Sequence, residues 1–389
     1  MSTNGVFNSM QVAIVEPVGG HGGMDYYDFG LISGLADAGV SGVLYTCDET
    51  TRPERTVDFH VGFNRIYGGS SRWLRAVRYV RGLCWSLVHA RRHGSRLVHF
   101  HFFHGSAMEL LTVSLARLLG FGVVVTAHDV ASFSGDGSLT TAKRVYAKAH
   151  AVIAHNEVTA KELVEVVGVD ASVVSVVPHG SYVDAIKSNA DLSQARELLG
   201  IEQDARVLLF FGQIKAVKGL DLLIEALPRV IESGADVRLI VAGKVWKDDF
   251  STYHDMISRL SLEGHVRLDI RYIEEDEAEL YYIASDIVVL PYRRIYQSGV
   301  LLMAMSHAKA VVASDLPGMA EVVTDGVDGY LFRQGDSVDL ARVIIRALDD
   351  PSSPEVARRG RDLMNEKFGW SRIGLLTRKV YEDVLQQRG

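Results

Sequence analysis

The sequence predicts an α/β protein built from two doubly wound domains, each around a parallel sheet. Two observations lead there. Short apolar runs rich in valine and isoleucine alternate with longer amphipathic stretches, the pattern of buried parallel strands joined by crossover helices. The alternation runs to Val177, breaks in a polar connection and starts again at Arg206. A length of 389 residues exceeds one ordinary core and suits two.

In the first half, Gln11 to Val15 reads as a strand closed by Glu16-Pro17. The cluster Gly19-Gly20-His21-Gly22-Gly23 follows, before a helix from about Asp25 to Ala38. Glycines at a strand-to-helix handover let backbone approach a ligand closely, although this is no G-x-G-x-x-G fingerprint and gives no support to a dinucleotide site. Gly42 to Cys47 is a second strand. The segment Phe59 to Met108 then contains no Asp or Glu, yet holds Arg65, Arg72, Arg75, Arg78, Arg81, Arg91, Arg92 and Arg96. On a helical wheel from Arg72 to Arg92, Trp73, Val77, Val80, Cys84, Leu87 and Val88 form one stripe, with Arg72, Arg75, Arg78 and Arg81 fanned across the other side. Such a helix suits an anionic lipid surface or a phosphate-bearing acceptor, or it packs its stripe on the core and leaves the arginines solvated. Arg96 to Phe102 is a strand. The spacing His99-x-His101-x-x-His104 invites a metal, but strand alternation and the lack of neighbouring Cys, Asp or Glu argue against one. A helix from Glu109 to Leu119 and a strand from Val123 to Thr126 deliver Ala127-His128-Asp129 to a strand's C-terminal end, where ligands sit in open α/β sheets. Helices at 140–150 and 159–167 and strands at 151–155 and 173–177 complete the half.

Pro178 to Ser181 and the polar stretch Lys187 to Ser193 read as the connection. Arg206 to Phe211 is a strand, Gly212 to Gly219 a loop and Leu220 to Glu232 a helix. Lys215 and Lys218 thus stand where a strand hands over to a helix, a place where two ammonium groups stabilise a diphosphate unless they are merely solvated. Val237 to Ala242, Val266 to Arg271 and Asp286 to Leu290 are further strands, the second leading to Tyr272-Ile273 and the third to Pro291-Tyr292. The acidic run Glu274 to Glu279 opens a helix and complements its dipole. In Gln297-Ser298-Gly299, Ser298 is an N-cap candidate, so the amides of Gly299 and Val300 face outward at a helix start that attracts an anion. Val311 to Ala313 is a strand, Leu316-Pro317-Gly318 a turn toward Glu321, and helices are expected at 337–348, 354–367 and 370–387.

Composition narrows the class. Hydrophobic residues make up 48% and charged residues 23%, and the net charge of −7 argues against nucleic acid as a partner. Cys47 and Cys84 are too few for a disulfide framework and indicate a reducing compartment. No apolar run reaches the roughly 18 residues of a membrane span, and Met1 to Asn8 carries no secretory signal. A cytoplasmic location is expected, with peripheral attachment to the cytoplasmic membrane face left open.

Together these segments resemble a GT-B glycosyltransferase, and more closely the retaining glycosyltransferase family 4, also described as glycosyl transferases group 1. The matching stretches are FFGQIKAVKGLDLLIEAL at 210–227, SDIVVLPY at 285–292, QSGVLLMAM at 297–305 and AVVASDLPGMAEVVTDGVDGYLF at 310–332, beside AHD at 127–129 and the glycine loop. The resemblance implies two Rossmann-like domains facing across a cleft. An acceptor domain is expected at 1–183, a nucleotide-sugar domain at 184–368 and a last helix, 369–389, crossing back to the first domain. It implies that Lys218, with Lys215 or Gln213, binds the donor diphosphate, and that Ser298, Gly299 and Val300 supply backbone donors. It implies that Glu321 contacts the nucleoside or stands just behind the residues that do, and that Ile273, Tyr292 and Gln297 complete the donor set. His128 and the loop of Gly20, Gly22 and Gly23 approach the sugar. Two departures stand out: a glutamate pair frequent in the family is replaced by Ile295 and Met303, and its arginine after the strand glycine by Gln213.

The implied activity is transfer of a hexose from a UDP- or GDP-linked sugar to a saccharide or lipid-linked saccharide, with retention at the anomeric carbon, in surface polysaccharide or glycolipid assembly. No metal and no cofactor are expected beyond the nucleotide-sugar co-substrate, because a helix start and two lysines can neutralise the departing diphosphate. Ile295 and Met303 keep open a non-catalytic nucleotide-sugar-binding or scaffold protein, and the fold keeps open a nucleotide-sugar epimerase.

Overall fold

A computed structural model of the chain describes residues 10–20, 23–51, 57–128, 139–234, 236–246, 249–295 and 297–388. The chain divides into two compact units, Met1–Gly180 with Phe368–Gly389, and Ser181–Lys367. The division falls slightly before the 183/184 and 368/369 boundaries expected from sequence. Residue 182 already belongs with the second unit, because the Tyr182 amide donates to Ser306 Oγ at 3.1 Å.

In the first unit, strands β1 (Met10–Val15), β2 (Val40–Cys47), β3 (Phe59–Phe63), β4 (Leu97–Phe102), β5 (Gly122–Ala127), β6 (Ala151–Ala154) and β7 (Val174–Val176) form one sheet in the order β3-β2-β1-β4-β5-β6-β7. Every pairing is parallel. Both faces are covered, which is why the strands read as unbroken apolar runs. On one face Val12, Ile14 and Leu44 pack against α1 (Met24–Asp37) and the last helix, α14 (Trp370–Gln386). On the other, Ala13, Val15 and Val43 pack against α2 (Arg72–Arg92), α3 (Ala107–Leu118), α4 (Leu139–Tyr146) and α5 (Glu157–Glu162). Helices α1 and α14 cross almost backbone to backbone: a Cβ added at Gly374 would sit 1.9 Å from the Gly34 carbonyl oxygen, and one at Gly34 would sit 2.0 Å from that of Trp370. No side chain fits there, so the two glycines set the spacing.

The second unit contains α6 (Leu192–Leu199), β8 (Arg206–Phe211), α7 (Leu220–Glu232), β9 (Val237–Ala242), α8 (Ser251–Arg259), β10 (Val266–Asp269), α9 (Glu275–Ala284) and β11 (Ile287–Leu290). It continues with α10 (Gly299–Ser306), β12 (Ala310–Ser314), α11 (Pro317–Ala320), β13 (Tyr330–Phe332), α12 (Ser337–Asp349) and α13 (Ser353–Glu366). Its sheet is parallel, in the order β10-β9-β8-β11-β12-β13.

Three elements differ from the sequence reading. Strand β3 is an edge strand whose apolar run is broken by His60 and Gly62, so its pattern is weak. The polar stretch 187–193 is not all connection, for α6 starts inside it. A reciprocal capping box begins that helix, with Asp191 Oδ1 accepting from the Gln194 amide at 2.9 Å and Gln194 Oε1 from the Asp191 amide at 3.0 Å. The Leu316-Pro317-Gly318 turn is one turn of helix, α11, with Pro317 at its start, where a missing amide hydrogen costs nothing.

Candidate functional site

In a doubly wound sheet the two strands at which the winding reverses leave a crevice beyond their C-terminal ends. In the second unit those strands are β8 and β11. The loop after β8 carries Gln213, Lys215 and Lys218, and the loop after β11 carries Tyr292, Gln297 and Ser298. They are laced together. The Arg293 amide donates to the Val217 carbonyl at 2.8 Å, and the Arg293 guanidinium forks onto the Asp221 carboxylate at 2.5 and 2.7 Å. That pairing raises the Arg293 pKa further. Gly219, at φ 68°, lets α7 begin against the Pro291 carbonyl, where a Cβ would sit 1.9 Å from the oxygen.

Lys218 Nζ stands 3.7 Å over the Tyr292 ring, while Lys215 Nζ stands 5.3 Å from the ring centre of Trp246, beyond β9. Each ammonium rests on an aromatic face, a contact of about 0.5–1 kcal/mol when exposed, which a phosphate can outbid. Ser298 is the N-cap of α10, its Oγ accepting from the Leu301 amide at 3.2 Å. The amides of Gly299 and Val300 fall in the first turn, where the helix itself offers no acceptor. Gln213 is exposed, and a Cβ added at Gly212 just before it would sit 3.3 Å from Val300 Cγ2. Glu321 is exposed at the end of α11, and Ile273 is buried just beyond β10. All the donor residues expected in this unit therefore follow the C-terminal ends of β8, β10, β11 or β12, along one edge of one sheet. Ile295 and Met303, both half-buried, add apolar surface to the same edge.

In the first unit the winding reverses between β1 and β4. Glu16, fully buried after β1, shapes the glycine loop by accepting from the Val18 amide at 2.7 Å and the Gly19 amide at 2.8 Å. Gly20 is half-buried and Gly23 begins α1 at φ 80°, while Gly22, His21 and Asp129 lie outside the described residues. His128, just after β5, is partly exposed, and its Phe103 and Tyr27 neighbours clamp the ring: Phe103 stacks at 4.9 Å and Tyr27 meets it edge-on at 4.9 Å.

Behind it lies a cluster that sequence reasoning missed. His101, His155, His179 and Trp370 all pack on Tyr27, with ring centres 4.9–5.5 Å away. His101 Nδ1 approaches Asp28 at 3.4 Å, and the buried Asp28 carboxyl feels the neighbouring carboxyls of Glu16 and Asp25. Burial, with the neighbouring carboxylates, raises the pKa values of Glu16 and Asp28, and burial drives His101 and His128 well below the ordinary histidine range. The one available signal was Asp28, a charge four residues after Met24 on a helix face otherwise apolar at Met24, Tyr27, Leu31 and Leu35. His99 does not wait for a metal: Nδ1 bonds Tyr381 Oη and Nε2 bonds Thr126 Oγ1, both at 2.7 Å. Among the described residues no group of three His, Cys, Asp or Glu side chains is placed to hold a metal ion.

Two family models match the chain: Glycosyltransferase Family 4 over residues 21–184, and Glycosyl transferases group 1 over residues 205–350. The chain is a GT-B glycosyltransferase of the family 4 type. Over 95% of its length the transferase is 26% identical to a D-inositol 3-phosphate glycosyltransferase of Kineococcus radiotolerans, covering 92% of that protein. Over 52% of its length it is 29% identical to a lipopolysaccharide 1,2-N-acetylglucosaminetransferase of Salmonella typhimurium, covering only 55% of it. Among solved structures, Anabaena HepE in complex with UDP superposes with a TM-score of 0.76 at 20% identity, over 96% of this chain and 100% of that one. Sucrose-phosphate synthase of Thermosynechococcus elongatus gives 0.75 at 19% identity, over 97% and 100%.

Helix α2 of the transferase departs from the helical-wheel reading. Its core face is Leu83, Ser86, Leu87 and Ala90, so of the expected apolar stripe only Leu87 is fully buried. Trp73 is 74% exposed, and Val77, Trp85 and Val88 stand out beside it. The apolar stripe and the exposed arginines Arg72 and Arg81 therefore share the outer surface rather than opposing each other. Arg78 is tied back to the Arg65 carbonyl at 2.9 Å and Ser70 Oγ at 3.1 Å, and Arg75 is half-buried. Among the described residues no helix is long and apolar enough to cross a membrane.

Proposed function

We propose that this glycosyltransferase moves a hexose from a UDP- or GDP-linked sugar to a saccharide or lipid-linked saccharide acceptor, with retention at the anomeric carbon. The observation that supports the reading is that Lys218, resting on Tyr292, and the capped start of α10 lie on the two chain segments that leave the second sheet where its winding reverses. Positive charge and outward amides at a strand-end crevice suit a diphosphate, and the α10 start favours its negative charge. As the sugar bond breaks, charge grows on that diphosphate, and fixed donors stabilise it more than they stabilise the intact donor. Front-face attack with a phosphate oxygen taking the acceptor proton then needs no enzymic nucleophile. His128 and the Gly20–Gly23 loop position the sugar. The names of the Kineococcus and Salmonella relatives, which act on an inositol phosphate and on lipopolysaccharide, support a phosphate-bearing or lipid-linked acceptor.

The decisive experiment presents a panel of nucleotide-sugars to the full chain and follows thermal unfolding, then transfer. The productive donor, at a hundred times its Kd, is expected to add about 2.7 kcal/mol of stability. Equal responses to all nucleotides and to none would remove the donor assignment.

The outer face of α2 supports a second element of the same reading, attachment to an anionic membrane where a lipid-linked acceptor resides. Trp73 and Trp85 enter the interface while arginines meet lipid phosphates. Each arginine near such a surface contributes about 1 kcal/mol, so Arg72, Arg81 and Arg92 replaced together by glutamine should lower partitioning to phosphatidylglycerol vesicles about a hundredfold. Binding that ignores this change, or is unaltered in 1 M salt, would contradict membrane attachment.

A further inference from the structure

His155 follows β6 and is buried, and its two ring nitrogens have different neighbours. Nδ1 lies 3.0 Å from the Val177 carbonyl oxygen and Nε2 lies 3.3 Å from Nδ1 of His128. A carbonyl oxygen only accepts, so the hydrogen on this side must be carried by His155 Nδ1. Burial lowers the His155 pKa to about 3 and places that of His128 well below the usual range, so each ring is neutral at pH 7 and carries one N–H. With its hydrogen on Nδ1, His155 presents a bare lone pair at Nε2. The contact between the rings is then a hydrogen bond only if His128 carries its own hydrogen on Nδ1. That leaves His128 Nε2 as a lone pair, and this atom is buried with no hydrogen-bond partner among the described residues.

We propose that His155 is a positioning residue that fixes the tautomer of His128, so that His128 presents an acceptor nitrogen and takes a hydroxyl group of the sugar as its donor. The proposal rests on the reading above that His128 faces the donor sugar. The relay runs Val177 carbonyl, His155, His128, substrate hydroxyl, with every hydrogen pointing the same way along it. Phe103 and Tyr27 hold the plane of the terminal ring, so the lone pair keeps a fixed direction. An imidazole free to exchange tautomers would spend part of its time with an N–H at Nε2, facing a hydroxyl with a donor where an acceptor is needed.

The test has a spectroscopic and a kinetic part. In the full-length protein, nitrogen-15 spectra of the histidine rings should show His128 with its hydrogen on Nδ1. A glutamine at 155 offers a side-chain carbonyl near the position of Nε2, so His155→Gln should keep that tautomer, whereas His155→Phe should shift His128 to a mixture or to the Nε2–H form. Transfer by His155→Phe is expected to lose about tenfold in kcat with KM little changed, and His155→Gln to recover most of it. A wild-type His128 protonated at Nε2, or a tautomer indifferent to His155→Phe, overturns the coupling. The expected tautomers with unchanged kcat in His155→Phe overturn the positioning role. Near-normal transfer by His128→Ala, with the tautomers as expected, instead locates the failure in the sugar-facing reading. His155→Gln keeps the test open if the phenylalanine variant does not fold.

Discussion

Lys218→Ala is expected to lower kcat/KM for sugar transfer by two to three orders of magnitude while leaving the folded chain nearly as stable as before. The size follows from what one preorganised donor to a developing anion contributes in a site screened from water, about 3–4 kcal/mol. The small stability cost follows from the environment of the side chain. Lys218 is partly exposed, and the Tyr292 ring is the neighbour on which its ammonium rests, 3.7 Å from the ring centre. The loop does not depend on it: Arg293 with Asp221, and Gly219 against Pro291, hold the β8 and β11 exits together. Lys215→Ala should cost less, nearer tenfold, because Lys215 leans away onto Trp246. A Lys218→Ala protein with more than about a third of normal activity, in an assay where the wild type turns over the same donor, would refute the diphosphate assignment. Lys218→Arg should recover part of the loss, the charge being kept on a differently shaped head.

The second large effect is on stability against acid. In the first unit, burial lowers the pKa values of His99 and His155 to about 3 and of His179 to about 4, and takes His101 and His128 well below 6.5. Once the chain unfolds, each returns to about 6.5. Between these limits the unfolded chain binds protons that the folded chain refuses, so the contribution of the histidines is complete above pH 6.5 and is lost as pH falls toward 3–4. Glu16 and Asp28 act in the opposite sense. Their folded pKa values are raised, so in the same window the folded chain keeps protons that the unfolded chain has released, and they favour folding at the lower pH. Five histidines against two carboxyls leave a net proton uptake on unfolding that grows as pH falls below 6.5 and reaches roughly three protons near pH 5, or about 4 kcal/mol per pH unit there. His150, half-buried and lowered to about 4, adds to the histidine side. In the second unit His307, lowered to about 4, acts in the same direction alone among the histidines shifted there. Urea unfolding followed at pH 6.5, 5.5 and 4.5 should therefore show the first unit failing much earlier than the second. Equal pH dependence of the two units would contradict the assignment of neutral, buried imidazoles.

Much of the second unit was legible in the sequence because its signals are local. Ser298 caps the helix that follows it within three residues, and the β8 strand, its loop and α7 are one contiguous run. Interactions distant in sequence left no such mark. The fork from Arg293 to Asp221 joins residues 72 positions apart, and His99 is bonded to Tyr381 across 282. The histidine cluster is assembled from four strand ends and two helices, and each histidine seen singly looks like an ordinary residue in or just after a strand. Helix α2 shows a different failure. A wheel ranks faces by hydrophobicity, and here the face with two tryptophans points outward while a face bearing Ser86 and Ala90 is buried, because small residues allow close packing on the sheet.

The crossing of α1 with α14 through Gly34 and Gly374 bears on the order in which the protein can be made. The amino-terminal unit is synthesised first but waits for the last twenty or so residues before one face of its sheet is sheltered. The later-made unit is whole once Lys367 has left the ribosome, and so is free to fold ahead of the one that precedes it. A stop codon near residue 367 would spare the lysine-bearing crevice and remove Trp370 from Tyr27 and Tyr381 from His99.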